Sequence, residues 1–223
     1  MYLSRMHLNP RRRGTRQLLS SPQAVHAAVM SAFPPAAHDQ GRILWRVDSD
    51  GDGLALYVAS PTIPSFEHIQ EQAGWTNQES WDIRPYELVL DRLMLGQEYA
   101  FRLVANPTRI VTEPDGRKRR VAHVTAAQQL GWLMDRADTL GVEFPPSTGT
   151  FDDESEVPAV AVTSREISRF RRRSSTVTVA RTQFDGVLRV RNVDALRSAM
   201  VGGIGKAKAY GCGLLTLAPI TPR

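Results

Sequence analysis

The chain has 223 residues, of which 42% are hydrophobic and 7% aromatic, and its formal net charge is +5. This length suits two domains of about 100 residues each, and the basic balance favours a nucleic acid or another acidic partner. The single cysteine, Cys212, excludes a disulfide framework and a cysteine-based metal site. The N-terminal segment lacks the apolar core of a signal peptide, and no apolar run approaches a membrane span, so we expect a soluble, cytoplasmic protein.

The first half of the chain predicts the element order β-α-β-β-α-β, which is that of a ferredoxin-like domain. Four strands are predicted, at residues 2–8, 43–47, 54–59 and 99–105. The first helix begins at Ser21, a favourable N-cap that Pro22 follows, and a short second helix covers residues 66–73. We assign residues 1–110 to this N-terminal domain, which carries the candidate catalytic histidine.

The same order recurs in the second half, which we assign to a C-terminal ferredoxin-like domain at residues 118–223. A strand at residues 120–124 precedes a helix that a capping box at Thr125 begins. A hairpin with an Asp185-Gly186 turn follows, and then a closing helix and a final strand. The predicted fold class is therefore α+β, with two tandem ferredoxin-like (RRM-like) domains.

A segment near the C-terminus combines glycines with lysines. It contains Gly202, Gly203, Gly205, Gly211 and Gly213, together with Lys206 and Lys208. Glycine lets the backbone approach another chain closely and point N–H groups at an anion. The segment runs from a helix to a strand, whereas nucleotide-binding phosphate loops run from a strand to a helix, so an ATP site is excluded. We interpret it as a basic loop for a polyanion, with RNA favoured over a small-molecule phosphate.

The densest basic run precedes the predicted hairpin. It consists of Arg165, Arg169, Arg171, Arg172 and Arg173. Arginine suits bidentate contacts to phosphate and guanine, and Arg189 and Arg191 of the hairpin add the same sign of charge. We predict that this run contacts RNA; the alternative is a solvated charged loop.

His26 is the histidine best placed for chemistry. On a helical wheel it borders the apolar stripe of Val25 and Val29, which predicts a half-exposed imidazole. An imidazole titrates near neutral pH and suits proton transfer, although a surface or capping histidine is the alternative. The five histidines show no H-x-x-x-H spacing, so neither a metal nor another cofactor is predicted.

Five segments together carry a resemblance that spans nearly the whole chain. They are YLSRMHLNP at residues 2–10, Ser21-Pro22 with a histidine four residues later, ILWR at 43–46, FRLVANP at 101–107 and GIGKAKAYGCGLLTLAP at 203–219. The chain resembles the CasE family, the CRISPR repeat-processing endoribonucleases of type I-E Cascade complexes. The C-terminal loop is the most specific of these segments.

The resemblance implies two ferredoxin-like domains and a defined reaction. Members of the family bind the hairpin of a CRISPR repeat transcript and cut once at its 3′ base. They retain the guide RNA and join the other Cascade proteins in the surveillance complex. His26 matches the family's catalytic histidine, and residues 165–173 correspond approximately to the basic segment that contacts the RNA stem.

One position departs from the family pattern. Some members carry a tyrosine three residues before the histidine, where this chain has Gln23, which can orient a group but cannot shuttle a proton. Two alternatives follow: His26 acts with less help, or Tyr2 or a lysine of the glycine-rich segment, Lys206 or Lys208, assists it. The expected products are a 2′,3′-cyclic phosphate and a 5′-hydroxyl. The alternative function is a catalytically inactive RNA-hairpin-binding assembly subunit of the same fold.

Overall fold

The computed structural model describes residues 1–50, 53–147, 157–172 and 175–220. The strands are β1 Tyr2–Leu8, β2 Leu44–Asp50, β3 Gly53–Ser60, β4 Trp81–Pro85, β5 Glu98–Ala105, β6 Thr108–Thr112, β7 Lys118–Ala122, β8 Val142–Glu143, β9 Val160–Arg172, β10 Ser175–Val190 and β11 Leu215–Pro219. The α-helices are α1 Arg13–Leu18, α2 Pro22–Met30, α3 Glu67–Ala73, α4 Glu87–Leu90, α5 Ala126–Met134, α6 Ala137–Leu140 and α7 Val193–Gly202. Short 3-10 helices cover Pro35–Asp39 and Lys208–Tyr210.

The N-terminal sheet has the strand order β2-β3-β1-β4, with every neighbouring pair antiparallel. Alternate residues of β1, such as Met6 and Leu8, are buried and pack in one core with Val25 and Val29 of α2. Because side chains alternate along a strand, Leu3 and Arg5 lie on the opposite face of this sheet. The order and the one-sided helices are those of a ferredoxin-like unit.

The C-terminal sheet repeats the arrangement with the order β11-β5-β10-β8, and β9 pairs with the remaining length of β10. Its core contains Phe101 and Leu103 of β5, Phe184 of β10 and Leu196 and Met200 of α7. The predicted fold class, α+β with two tandem ferredoxin-like units, is therefore confirmed.

The strands are shared between the two units differently from the sequence prediction. β5, predicted to close the N-terminal unit, pairs with β10 and β11 in the C-terminal sheet. The N-terminal sheet is closed instead by β4, which lies in a stretch predicted to be a loop. β4 is a short edge strand with partly buried and exposed residues, so it lacks the apolar alternation that marks a strand in sequence.

The residues around the predicted domain junction form a hairpin. β6 and β7 pair only with each other among the described strands, with Thr108 opposite Ala122 and Thr112 opposite Lys118. The strand predicted at residues 120–124 is therefore part of an insertion between β5 and α5. By strand pairing, the change from one sheet to the other falls between β4 and β5.

The predicted Asp185-Gly186 turn is wrong, because β10 runs through these residues without a break. A Cβ on Gly186 would lie 2.3 Å from the Ala159 carbonyl oxygen and 2.7 Å from the Val160 Cα. Close approach of the neighbouring backbone therefore explains this glycine, and no turn is needed. Asp185 accepts a 2.6 Å hydrogen bond from Nε of Arg102.

The arginine-rich segment after β1 contains the helix α1. The guanidinium of Arg12 donates to the carbonyl oxygens of Gln70, Glu71 and Gly74 at 3.4, 2.6 and 3.1 Å. These carbonyls belong to the C-terminal end of α3, where a cation is favourable because the helix dipole is negative there. Arg12 thus joins α1 to α3.

The two sheets are joined by a charged cluster that we call the interdomain network: Arg46, Asp48, Arg102 and Asp185. Arg46 of β2 is 1% exposed and pairs with both carboxylate oxygens of Asp48 at 2.6 and 2.8 Å. Its Nη1 donates to the carbonyl oxygens of Arg102 and Leu214 at 3.0 and 2.9 Å, and its Nη2 also donates to Oγ1 of Thr216 at 2.8 Å. The buried guanidinium therefore has a carboxylate and two carbonyl partners, which a buried cation requires.

Arg102 continues the interdomain network into the C-terminal sheet. It contacts Asp48 at 3.5 Å and Asp185 at 2.6 Å. Burial alone would raise the pKa of Asp185, but hydrogen bonds from Arg102, Thr163 and Gln183 outweigh it and hold the pKa below its ordinary value. Two arginines and two aspartates thus neutralise one another between the sheets.

Candidate functional site

The helix α2 places His26 at the edge of the N-terminal core. Ser21 caps this helix by accepting a 3.2 Å hydrogen bond from the N–H of Ala24. Val25 and Val29 are buried on one side, whereas His26 is half-buried. The prediction of a border position for His26 is therefore confirmed.

His26 lines a small pocket of about 120 Å³, which we call the His26 pocket. Its walls are His26, Met30, Gly41, Arg42, Ile43, Lys208 and Ala209. The imidazole comes from the N-terminal unit, and Lys208 comes from the glycine-rich loop, residues 202–213, near the other end of the chain. The fold thus brings a proton-transfer group and a cation to one site.

Lys208 has an environment that disfavours its charge. Burial, followed by the like charges of Arg42 and Lys206, lowers the pKa of the Lys208 ammonium below its ordinary value. Its Nζ donates a 2.6 Å hydrogen bond to the carbonyl oxygen of Gly202, which fixes the side chain. The attraction of a bound anion to these cations would offset the repulsion between them, so the site suits a phosphate.

The glycine-rich loop is held by close packing against β2. A Cβ on Gly203 would lie 2.6 Å from Cδ2 of Leu44, and one on Gly211 would lie 2.6 Å from the ring of Trp45. Both glycines also have a left-handed φ of +75°, which favours glycine. The loop and the ILWR segment are therefore complementary, because the bulky residues of one occupy the space that the glycines of the other leave.

Several backbone N–H groups of this loop donate hydrogen bonds within the protein. The N–H of Gly203 donates to Ala199 O at 2.9 Å, that of Ile204 to Gly213 O at 2.9 Å and that of Gly213 to Val104 O at 2.7 Å. These three N–H groups are therefore committed to partners within the protein and do not point at an external anion. The predicted use of the N–H groups of Gly203 and Ile204 to bind a phosphate is thus not favoured.

The predicted arginine run lies on β9. Arg165, Arg169 and Arg171 are exposed, and their register partners on β10 are Thr182, Thr178 and Thr176. Because alternate residues share one face of a strand, these three arginines form one surface, which we call the basic strand face. Arg172 is the last residue of β9, and Arg173 lies outside the described residues.

The opposite face of β9 contacts the glycine-rich loop. The ring of Phe170 meets that of Tyr210 edge-on, with centroids 4.9 Å apart. A groove of about 400 Å³ is lined by Ser21 and Pro22 of the α2 start and by Arg169 and Phe170 of β9. α2, the loop and the β9–β10 hairpin therefore lie side by side.

Two arginines predicted to add to the RNA surface are instead neutralised. Arg189 contacts Glu98 at 2.6 Å and Glu143 at 3.3 Å, and Arg191 pairs with Glu143. In contrast, the three arginines of the basic strand face make no ion pair with a described acidic residue. The net positive charge of this region therefore comes from β9.

Some predicted site residues lie outside the His26 pocket. Gln23 and Lys206 are exposed and are not among its described lining residues, and Tyr2 pairs with Ser60 and Pro85 at the start of β1. Arg42, which does line the pocket, was missed from sequence because a lone arginine in a loop carries no periodic or motif signal. Proximity to His26 therefore favours Lys208 as its assistant.

Cys212 is buried, and burial raises its thiol pKa to about 12. Within the described ranges, no group of three or more His, Cys, Asp or Glu side chains is arranged to hold a metal ion. None of the described helices is long and apolar enough to cross a membrane.

Comparisons with known proteins agree with one another. The family model described as CRISPR associated protein matches residues 1–219. The CRISPR-associated endoribonuclease Cse3 of Thermus thermophilus is 27% identical over 229 residues, covering 98% of this chain and 100% of the relative. The Cascade subunit CasE of Escherichia coli is 31% identical over 137 residues, covering 58% of this chain and 62% of the relative.

A solved structure of Thermus thermophilus Cse3, bound to an RNA that represents a pre-cleavage complex, has the same fold. It superposes with a TM-score of 0.79 at 27% identity and covers 98% of both chains. Together with the family match over residues 1–219, this similarity identifies the family. The chain belongs to the CRISPR-associated protein family of Cse3 and CasE.

Proposed function

We propose that this protein is an endoribonuclease that processes CRISPR precursor RNA. It binds the hairpin of the repeat, cuts at the 3′ base of that hairpin and retains the mature crRNA as a subunit of a Cascade complex. The observation that carries the proposal is the His26 pocket, where an imidazole and two cations, Arg42 and Lys208, line one small site. The names of the relatives, an endoribonuclease and a Cascade subunit, support it.

The reaction we propose uses a nucleophile that the RNA itself supplies. The ribose 2′-hydroxyl upstream of the scissile bond attacks phosphorus in line and displaces the 5′-oxygen of the next nucleotide. The products are a 2′,3′-cyclic phosphate and a 5′-hydroxyl. His26 acts either as general base to the 2′-hydroxyl or as general acid to the 5′-oxygen, a role typically worth about 10²–10⁴-fold in rate.

The cations of the His26 pocket stabilise the negative charge that develops on phosphorus oxygens. Lys208 is fixed by its 2.6 Å hydrogen bond to Gly202 O, and such preorganised charge is effective because it needs no rearrangement during the reaction. We propose that Lys208 and Arg42 perform this role together and that no metal ion is required. Gln23 and Lys206, which are exposed and outside the described lining of the His26 pocket, act at most as auxiliary groups.

Binding of the RNA stem is assigned to the basic strand face. Arg165, Arg169 and Arg171 are exposed and have no acidic partner among the described residues, so phosphates can neutralise them. Arg172 and Arg173 continue the run in sequence, and we expect them to contribute to the same contact. The glycines of the loop support this surface by allowing close packing on β2.

The test is cleavage of the repeat RNA from an adjacent CRISPR array, in EDTA. We expect one cut, with a cyclic phosphate identified by mass spectrometry. The matched control is the same RNA with a 2′-deoxy nucleotide upstream of the cut, which should bind and stay intact. Cleavage of the deoxy RNA, or a requirement for Mg²⁺, would contradict the mechanism. Tight binding with both RNAs intact would support the inactive assembly subunit.

A further inference from the structure

A second pocket lies apart from the His26 pocket, between the start of α5 and the β9–β10 hairpin. Its volume is about 340 Å³, within the range of roughly 300–1,000 Å³ that is usual for small-ligand sites. We call it the Gln129 pocket, because Gln129 lines it together with His123, Thr182, Arg165 and Ile167. Arg165 belongs to the basic strand face, so the pocket adjoins the surface assigned to RNA.

Four side-chain atoms around this pocket are buried without a hydrogen-bond partner among the described residues, and one of them is the donor Nε of Arg181. Gln129 is 4% exposed, and its Nε2 donates to His123 O at 3.0 Å, which leaves Oε1 as the unpartnered acceptor. Thr182 is 0% exposed and its Oγ1 is unpartnered, as is Nδ1 of His123. Buried polar groups nearly always have partners, so four around one pocket indicate a ligand that supplies them.

The chemistry of these groups selects the ligand. The Gln129 Oε1 can only accept a hydrogen bond, so it disfavours a phosphate, whose oxygens also accept. A hydroxyl such as Thr182 Oγ1 can donate to a neighbouring acceptor. The Watson–Crick edges of adenine and cytosine present this pair, an amino donor beside a bare ring nitrogen. Ile167, 66% exposed at the pocket, offers apolar surface to the face of a base.

We propose that the Gln129 pocket binds one unpaired adenine or cytosine of the RNA. Gln129 accepts from the exocyclic amino group, Thr182 donates to the adjacent ring nitrogen, and Arg165 contacts the phosphate of the same nucleotide. This proposal rests on the RNA binding proposed above and adds sequence selectivity to it. Unpaired bases are the usual targets of sequence-specific RNA recognition because their edges are accessible.

The test compares two variants that each remove a buried, unpartnered hydroxyl. Thr182→Val removes one at the pocket, and Ser4→Ala removes one in β1, where Ser4 is 1% exposed. Neither change should lower the melting temperature, because no hydrogen bond between described residues is lost. Thr182→Val should weaken binding of the repeat RNA about 3- to 10-fold, whereas Ser4→Ala should leave the Kd unchanged.

An abasic scan identifies the bound nucleotide. Each unpaired nucleotide of the repeat RNA is replaced by an abasic one, and the Kd is measured for the wild-type protein and for Thr182→Val. At one position, which carries adenine or cytosine in the intact RNA, the effect of the protein substitution should disappear. Thr182→Ser, which keeps the hydroxyl, should restore the wild-type Kd and serves if the valine variant fails to fold.

The outcomes separate this proposal from the proposed function. The pocket proposal would be overturned if the effects of the abasic nucleotide and of Thr182→Val on the Kd add at every scanned position, or if Thr182→Val leaves the Kd unchanged. Either result would do so even when the wild-type protein binds and cleaves the repeat RNA. A coupled position that carries uracil would also overturn it. A wild-type protein that does not bind the repeat RNA would overturn the proposed function, and the pocket proposal with it.

Discussion

The interdomain network and the His26 pocket both contain buried or half-buried cations, but their surroundings have opposite signs. In the network, Arg46 and Arg102 face the carboxylates of Asp48 and Asp185 at 2.6 to 3.5 Å. In the pocket, burial and then the like charges of Arg42 and Lys206 lower the pKa of Lys208. The cations of the interdomain network are therefore already neutralised in the isolated protein, whereas those of the His26 pocket would be neutralised by a bound anion.

This contrast separates residues that hold the fold from residues that bind a substrate. A cation matched by carboxylates contributes to stability and has little attraction left for phosphate. A cluster of like charges lowers stability and gains favourable interactions when a polyanion arrives. Substitutions in the two regions should therefore move different measured quantities, stability in one and RNA chemistry in the other.

The largest effect is expected for His26→Ala in the pocket. Cleavage of the repeat RNA should slow by about 10²–10⁴-fold, because proton transfer by the imidazole is lost. The Kd for the hairpin and the free energy of unfolding should change little, since His26 is half-buried at the edge of the core. Single-turnover cleavage, a binding titration and urea unfolding measure the three quantities.

A modified substrate resolves the role of His26. Sulfur in place of the bridging 5′-oxygen gives a leaving group that needs no proton. If His26 is the general acid, this substrate should be cut equally well by the wild-type protein and by His26→Ala. If His26 is the general base, the variant should remain slow on it. Equal rates for the two proteins on ordinary RNA would refute a catalytic role.

The next largest effect is expected for Arg46→Met in the interdomain network. Removing this guanidinium leaves Asp48 with only the 3.5 Å contact to Arg102, and breaking a buried pair costs about 3–5 kcal/mol of unfolding free energy. Urea unfolding measures the loss, and Arg46→Met with Asp48→Leu should recover part of it. The control Arg5→Met breaks an exposed pair with Asp82 and should cost far less. Similar losses of unfolding free energy in Arg46→Met and Arg5→Met would show that the buried network stabilises the fold no more than an exposed ion pair does.

Local signals in the sequence were sufficient for two helix starts. Ser21 caps α2 and Thr125 forms the capping box of α5, both as predicted. These signals succeed because a cap involves only neighbouring residues. The membership of β5 in the C-terminal sheet and the close approach of Ala159 to Gly186 depend on distant partners, and no local pattern contains them.

The residues that line the His26 pocket were only partly predictable, and their arrangement was not. The resemblance pointed to His26, the departure at Gln23 led to Tyr2 or a lysine of the glycine-rich loop as its assistant, and the packing favours Lys208, because Lys206 is exposed and outside the described lining. Arg42 had no sequence signal. The pairing of Arg189 with Glu98 depends on the register of β10 and β5, which a count of basic residues does not reveal.

Lys208→Met should give the third largest effect. Cleavage should fall by about 10- to 100-fold, because a hydrogen bond to a charged group is worth about 1.5–3 kcal/mol. Stability should change little, since relief of repulsion from Arg42 and Lys206 offsets the lost bond to Gly202. Lys206→Met is the matched control and should reduce cleavage less. Equal losses in both variants would indicate general charge attraction and not a defined site.

The lowered pKa of Lys208 predicts a dependence on alkaline pH. Bound phosphate favours the ammonium, so RNA affinity should fall as the pH rises through the lowered value, below the ordinary 10.5. In the same window the unfolded chain binds more protons than the free protein, so the stability of the free protein should rise. Lys208→Arg should remove the dependence. The Kd is measured on 2′-deoxy RNA; an identical decline in the arginine variant would assign the effect to another group.

The smallest effect is expected for single arginines of β9 and β10, and it should depend on whether the arginine is paired with a carboxylate. Arg171 is exposed without a described acidic partner, whereas Arg189 contacts Glu98 and Glu143. Arg171→Ala should weaken RNA binding and reduce the slope of log Kd against log salt by about one, because one phosphate contact is lost. Arg189→Ala should leave this slope unchanged, since its charge is already neutralised. If both variants reduce the slope equally, Arg189 also contacts RNA although it is paired with carboxylates. An ion pair with a carboxylate would then not distinguish a structural arginine from an RNA-binding one.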